Sequence, residues 1–142
     1  YKTDSRVNTL DQDPNESVYI SKTVDLQINS SGLKVIFDAY KPEGTDIRVL
    51  YKLIDSDSNN SKFVLFPGYN NLDLFGNVVN VEDNDGTEDT FVNFSKDGEY
   101  KQHEYTLKNA DTFSSYAIKI IMTTTNSSVV PKLRNLRAIS LS

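Results

Sequence analysis

The segment Glu82-Asp83-Asn84-Asp85-Gly86-Thr87-Glu88-Asp89 gathers carboxylates and an amide oxygen around one glycine, the oxygen-ligand chemistry that a hard cation such as calcium requires. It fails the EF-hand spacing. With Gly86 at the sixth position, Val81 falls at the first and Val92 at the twelfth, where ligating carboxylates are needed. A calcium site of another geometry would draw on Asp83, Asp85 and Asp89. A second loop, Phe66-Pro67-Gly68-Tyr69-Asn70-Asn71-Leu72-Asp73, holds the residue types that recognise sugars: an aromatic face in Tyr69, amides in Asn70 and Asn71, and a carboxylate in Asp73. Simpler roles compete for the same residues. Tyr69 could cap the core from outside, and Asn70-Asn71 suits a turn because asparagine tolerates left-handed backbone geometry.

Catalytic constellations are scarce. His103 is the single histidine, and it falls within a strand pattern with no Ser-His-Asp or Cys-His arrangement around it. It reads as a partly exposed strand residue. Glycoside hydrolysis needs two carboxylates at a defined separation across a cleft, whereas each acidic group here reads as solvated loop charge. The expectation is a protein without catalytic residues and without a resident cofactor, calcium aside.

Composition narrows the partners. The 142 residues carry a net charge of −5, which argues against a general nucleic-acid surface, since that would need lysine and arginine to neutralise phosphates. No cysteine is present, so thiolate metal sites, disulfides and cysteine nucleophiles are excluded. No apolar run approaches the roughly 18 to 20 residues that span a bilayer, and membrane insertion is not expected. The chain starts at Tyr1 and its one methionine is Met122, as expected of a piece of a larger protein. Lys119, Lys132, Arg134 and Arg137 make the C-terminal part basic, in contrast to the acidic middle. That contrast suits head-to-tail contacts between copies, and equally an ordinary charged outer face.

The elements that would position these groups are strands. Residues 1–16 are polar and lack any apolar period, as in an arm or linker, and 17–142 is expected to form the domain. Val18, Ile20, Val24, Leu26 and Ile28 share one parity of a half-buried strand. From Leu33 to Leu53 two alternating runs flank Lys41-Pro42-Glu43-Gly44-Thr45, with Leu33, Val35, Phe37 and Ala39 on one face and Ile47, Val49, Tyr51 and Leu53 on another. This pattern predicts a β-hairpin. Further strands are expected near Phe63–Phe66, Val78–Val81, Phe91–Phe94, Glu99–Leu107, Tyr116–Thr125 and Leu133–Leu141, the last with Leu133, Ile139 and Leu141 on one parity. Seven or eight short strands with polar turns and little helix indicate an all-β, antiparallel β-sandwich or jelly roll, and an immunoglobulin-like sandwich competes because pattern alone does not reveal strand order.

Two stretches carry a resemblance. Ala39 to Leu53, AYKPEGTDIRVLYKL, together with Tyr116 to Leu141, YAIKIIMTTTNSSVVPKLRNLRAISL, resembles a domain of large virion structural proteins of marine contractile-tailed phages. The resemblance implies a jelly-roll module of the tail, baseplate or fibre region, located in the virion, non-enzymatic, with other virion proteins or copies of itself as partners. Attachment to a host-surface glycan is the alternative role. The resemblance supplies no catalytic residues, and the stretch from Ser56 to Gly98 lies outside it.

Overall fold

Leu33, Val35, Phe37, Ala39, Ile47 and Val49 are all at most 1% exposed and belong to one core, yet the two strands that carry them do not pair. The computed structural model describes residues 16–54, 62–69, 71–125 and 130–141. Strand β3 (Gly32–Tyr40) lies between β10 (Lys132–Leu141) and β8 (Lys101–Leu107) in a three-stranded sheet. Strand β4 (Thr45–Ile54) lies between β9 (Phe113–Thr124) and β5 (Val64–Leu65) in a second sheet, where β9 also pairs with β1 (Glu16–Ile20) and β2 (Val24–Ser30). A separate ribbon joins β6 (Asn71–Leu72) to β7 (Val78–Val79). All pairings are antiparallel, and the described residues include no helix.

The expected hairpin is therefore an arch between sheets. Alternation reports which face of a strand is buried, and facing strands of two stacked sheets produce the same alternation as neighbours in one. The turn makes the step: the Thr45 N–H and hydroxyl both donate to the Pro42 carbonyl, at 3.2 and 2.6 Å. Consecutive strands β2 to β3, β3 to β4, β8 to β9 and β9 to β10 each change sheet, as in a β-sandwich whose two antiparallel sheets are linked by arches.

Two other expectations change in detail. The Val18–Ile28 pattern is broken into β1 and β2 at Ser21, whose N–H donates to the Ile118 carbonyl while its hydroxyl accepts from the Ile118 N–H, both at 2.8 Å. Val18 and Tyr19 are buried, but Ile28 is 80% exposed at the sheet margin. In β10 a bulge sets Arg134 opposite Asp38 but Arg137 opposite Ile36, with Asn135 left-handed at φ 58°. One extra residue reverses the parity. Leu133 precedes the bulge and Leu136 and Ala138 follow it against the core, while Ile139 turns outward.

The segment 80–98 runs as a strap over one open side of the sandwich. At its start, Gly86 extends the β5 side of β4: the Val49 N–H donates to the Gly86 carbonyl at 3.0 Å, and the Gly86 N–H donates to Phe66 at 2.8 Å. Three residues on, the Asp89 N–H donates to the Glu104 carbonyl of β8 at 2.7 Å. The strap then ties to the end of β3 through Ser95 and Lys41, which exchange bonds of 2.8 and 3.0 Å. By continuing the short β5 side of β4 and bonding to the outer edge of β8 it satisfies backbone groups that would otherwise invite pairing with another chain. Phe91–Phe94, expected as a strand, belongs to this strap and forms none.

Candidate functional site

Tyr69 sits where the chain leaves β5, half-buried, with its ring beside the strap. It lines a shallow cavity of about 320 Å³ with Asn80, Asp89, Thr90, Thr106 and Lys108. The cavity thus combines an aromatic ring, an amide, a carboxylate, hydroxyls and an ammonium, a set suited to the hydroxyls and apolar face of a saccharide. Burial pushes the Tyr69 hydroxyl above the usual phenol range, and the negative charges of Glu82 and Asp89 add to this. Asp89 is held in place by β8: its carboxylate accepts from the Thr106 N–H at 2.9 Å and the Thr106 hydroxyl at 2.5 Å. Burial raises the Asp89 carboxyl above its ordinary value, against the lowering effect of those two bonds.

The other residues expected beside Tyr69 are placed differently. Asn70 lies outside the described residues, as does the side chain of Asn71, whose backbone opens β6. Asp73 does not line the Tyr69 cavity. Its carboxylate accepts from the N–H groups of Phe75 and Asn77, at 2.9 and 2.8 Å, and so shapes the β6–β7 turn. The Asn77 N–H bond, with those from Phe75 and Gly76, holds that carboxyl below its usual range. Asn80, Thr90, Thr106 and Lys108 carried no sequence signal, because they come from the strap and from the end of β8, which only the crossing of the one over the other brings together.

The Asp83, Asp85 and Asp89 set is divided. A Cβ placed on Gly68 would stand 2.7 Å from Asp85 Oδ1 and 2.9 Å from Asp83 Oδ1, so these two carboxylates converge over the Gly68 backbone. Asp89 turns to β8. Asp85 accepts from the Thr87 hydroxyl and N–H, at 2.5 and 3.0 Å. Burial pushes its carboxyl up, but Thr87, Asp83 and the charge of Arg48 bring it below the ordinary range. Among the described residues no group of three or more histidine, aspartate and glutamate side chains is placed to hold a metal ion.

His103 corrects the expectation of a partly exposed residue: it is 1% exposed on the inner face of β8, stacked on Phe37 with ring centres 5.7 Å apart. Glu88, expected as solvated loop charge, is also buried at 6%, with Oε2 3.7 Å from His103 Nδ1. That distance is too long for a hydrogen bond, and both imidazole nitrogens lack hydrogen-bond partners, as does the neighbouring Tyr105 hydroxyl. The alternation of β8 settles this. His103, Tyr105 and Leu107 point inward together, and the strap residues Gly86 and Glu88 are both buried against the sandwich.

Among the described residues the most exposed apolar feature is the β6–β7 ribbon. Leu74 is 100% and Phe75 88% exposed at its tip, and Leu72 and Val78 more than half exposed on its strands. The tip is nonetheless well ordered by hydrogen bonds: Asp73 N–H to Asn77 O at 2.8 Å, Gly76 N–H to Asp73 O at 3.1 Å, and the two bonds to the Asp73 carboxylate. No family model matches the chain, and no curated protein and no solved structure matches it.

Proposed function

We propose that the chain is a non-enzymatic assembly module of a virion protein of a contractile-tailed phage, acting in the tail, baseplate or fibre region as a rigid docking element. The observation that carries this reading is the ordered, fully exposed Leu74–Phe75 tip with the apolar strands beneath it. Exposed apolar surface on a fixed backbone suits a protein contact, because its burial releases water while little conformational entropy remains to be lost. The sealed His103 supports the non-enzymatic part, since a buried imidazole cannot reach a substrate. The two stretches of family resemblance lie in the sandwich, whereas the tip lies in the part outside them, where partner choice would be encoded.

The test places Leu74→Ser with Phe75→Ser in the whole virion protein and images the particles. Particles defective in tail assembly are expected. Normal particles that adsorb poorly to cells would overturn assembly in favour of attachment.

The Tyr69 cavity favours that second reading, attachment to a host-surface glycan. Its test is binding of the chain, displayed in many copies on a particle, to a panel of surface glycans, because a single weak site gains from multivalency. Saturable binding competed by a soluble glycan and lost in Tyr69→Ala would establish it, and no binding would remove it.

A further inference from the structure

Charge is segregated along this chain to an unusual degree. Between Lys62 and Lys96 there is no lysine, arginine or histidine, while Asp73, Glu82, Asp83, Asp85, Glu88 and Asp89 all occur. From Thr112 to Ser142 there is no aspartate or glutamate, while Lys119, Lys132, Arg134 and Arg137 occur. The fold converts this into two surfaces. The β6–β7 ribbon and the first residues of the strap, 72–84, are exposed throughout and display Asp73 beside the apolar tip and Glu82 and Asp83 on the strap. At a free edge of the three-stranded sheet, β10 displays Lys132, Arg134 and Arg137, all exposed.

The basic surface also has a recess whose lining mixes polar and apolar groups. A cavity of about 360 Å³ opens beside the start of β10, lined by Tyr19, Tyr100, Met122, Pro131, Lys132 and Leu133 among others. The edge itself does not favour strand addition, because the Asn135 bulge interrupts its row of backbone groups. Side chains rather than backbone must make a contact there.

We infer that the partner of the apolar tip is a second copy of this chain, whose basic β10 edge and adjoining recess receive Leu74 and Phe75, with Asp73, Glu82 and Asp83 facing Lys132, Arg134 and Arg137. The inference rests on the assembly reading and names its partner. Tip and recess are different surfaces of one chain, so the contact is heterologous. Each added copy leaves one tip and one recess open, and the contact propagates into a ring or a filament. Opposite charges set the register and speed encounter, and apolar burial supplies the attraction that salt does not screen.

Sedimentation velocity of the 142-residue chain over a concentration series tests this. A weight-average sedimentation coefficient that rises with concentration, and rises less at high salt, is expected. Leu74→Ser with Phe75→Ser should give a monomer, and so should Lys132→Glu with Arg137→Glu, a pair that leaves the Arg134 guanidinium on the Tyr100 ring undisturbed. Circular dichroism and thermal melting of both variants should match the parent, since every altered side chain is exposed.

The decisive sample is a mixture of the two variants. One retains only a working recess and the other only a working tip, so the mixture should form one-to-one dimers and nothing larger. Monomers in the mixture, or a parent chain that stays monomeric at its highest soluble concentration, would overturn the inference. So would a parent dimer that grows no further, because that is an isologous contact. If the tip variant still disrupts particle assembly while the parent chain stays monomeric, the assembly reading stands and the tip's partner is a different virion protein.

Discussion

At the scale of single residues, the buried polar groups under the strap govern how the sandwich responds to acid. Burial pushes the Glu88 carboxyl up, but the His103 imidazole, its own backbone amide and the charge of Lys41 pull it down further, so the folded value lies below the ordinary one near 4.5. A carboxyl with a lowered folded value stabilises fully above its unfolded value, and that contribution is lost as pH falls through the folded one. Asp89 is raised and acts in the opposite sense: its contribution is present below the unfolded value and lost as pH rises through the folded one. Urea midpoints between about pH 2.5 and 7 should therefore fall less steeply on the acid side in Glu88→Gln than in the parent. Equal slopes would show that Glu88 is not perturbed in the fold. The Tyr105 hydroxyl is fully buried between Phe37 and Phe66 without a hydrogen-bond partner, and an unsatisfied buried donor costs free energy that a matching apolar group does not. Tyr105→Phe should raise stability by about 1 kcal/mol in chemical denaturation, and a loss would reveal a partner for that hydroxyl.

At the scale of elements, the strap depends on one backbone position. Gly86 has φ 78°, and a Cβ there would stand 2.6 Å from Leu65 Cδ2 and 3.2 Å from the Val49 carbonyl. Gly86→Ala should destabilise by about 1 to 3 kcal/mol from strain and crowding together, read as a lower denaturation midpoint. Hydrogen exchange should show the Val49 and Gly86 amides losing protection first. The strands themselves were plain in the sequence, because period-2 burial needs only the strand's own residues: Leu33, Val35, Phe37 and Ala39 announced their face correctly. Pairing partners were not, because the same alternation serves a hairpin and an arch, and the Lys41–Thr45 turn suits either connection. The β10 bulge was hidden for a related reason, since Asn135 enters left-handed geometry without altering composition. At the candidate site Tyr69 was visible as an aromatic in a polar loop. Its companions Asn80, Thr106 and Lys108 depend on where the strap crosses, which no local pattern encodes, and Glu88 looked like any other carboxylate in an acidic run.

At the scale of the whole molecule, segregated charge matters more than its sum. The sequence isoelectric point is about 4.8, where net repulsion vanishes while the acidic and basic surfaces both persist, so solubility should pass through a minimum near that pH and recover with added salt. Solubility that is flat across this range would mean that the two surfaces do not meet. The central place of β9 has a different bearing, on the order of events during synthesis. Strands β1 and β2 take their sheet partner from β9, and β4 takes its longer one there, so that Glu16 waits for Thr123. At about 5 to 20 residues per second, roughly 5 to 20 s pass between the emergence of β1 from the ribosome and that of β9. Throughout that interval the apolar faces of half the sandwich have no sheet to join, so the nascent chain depends on chaperones for far longer than a fold built from local hairpins would.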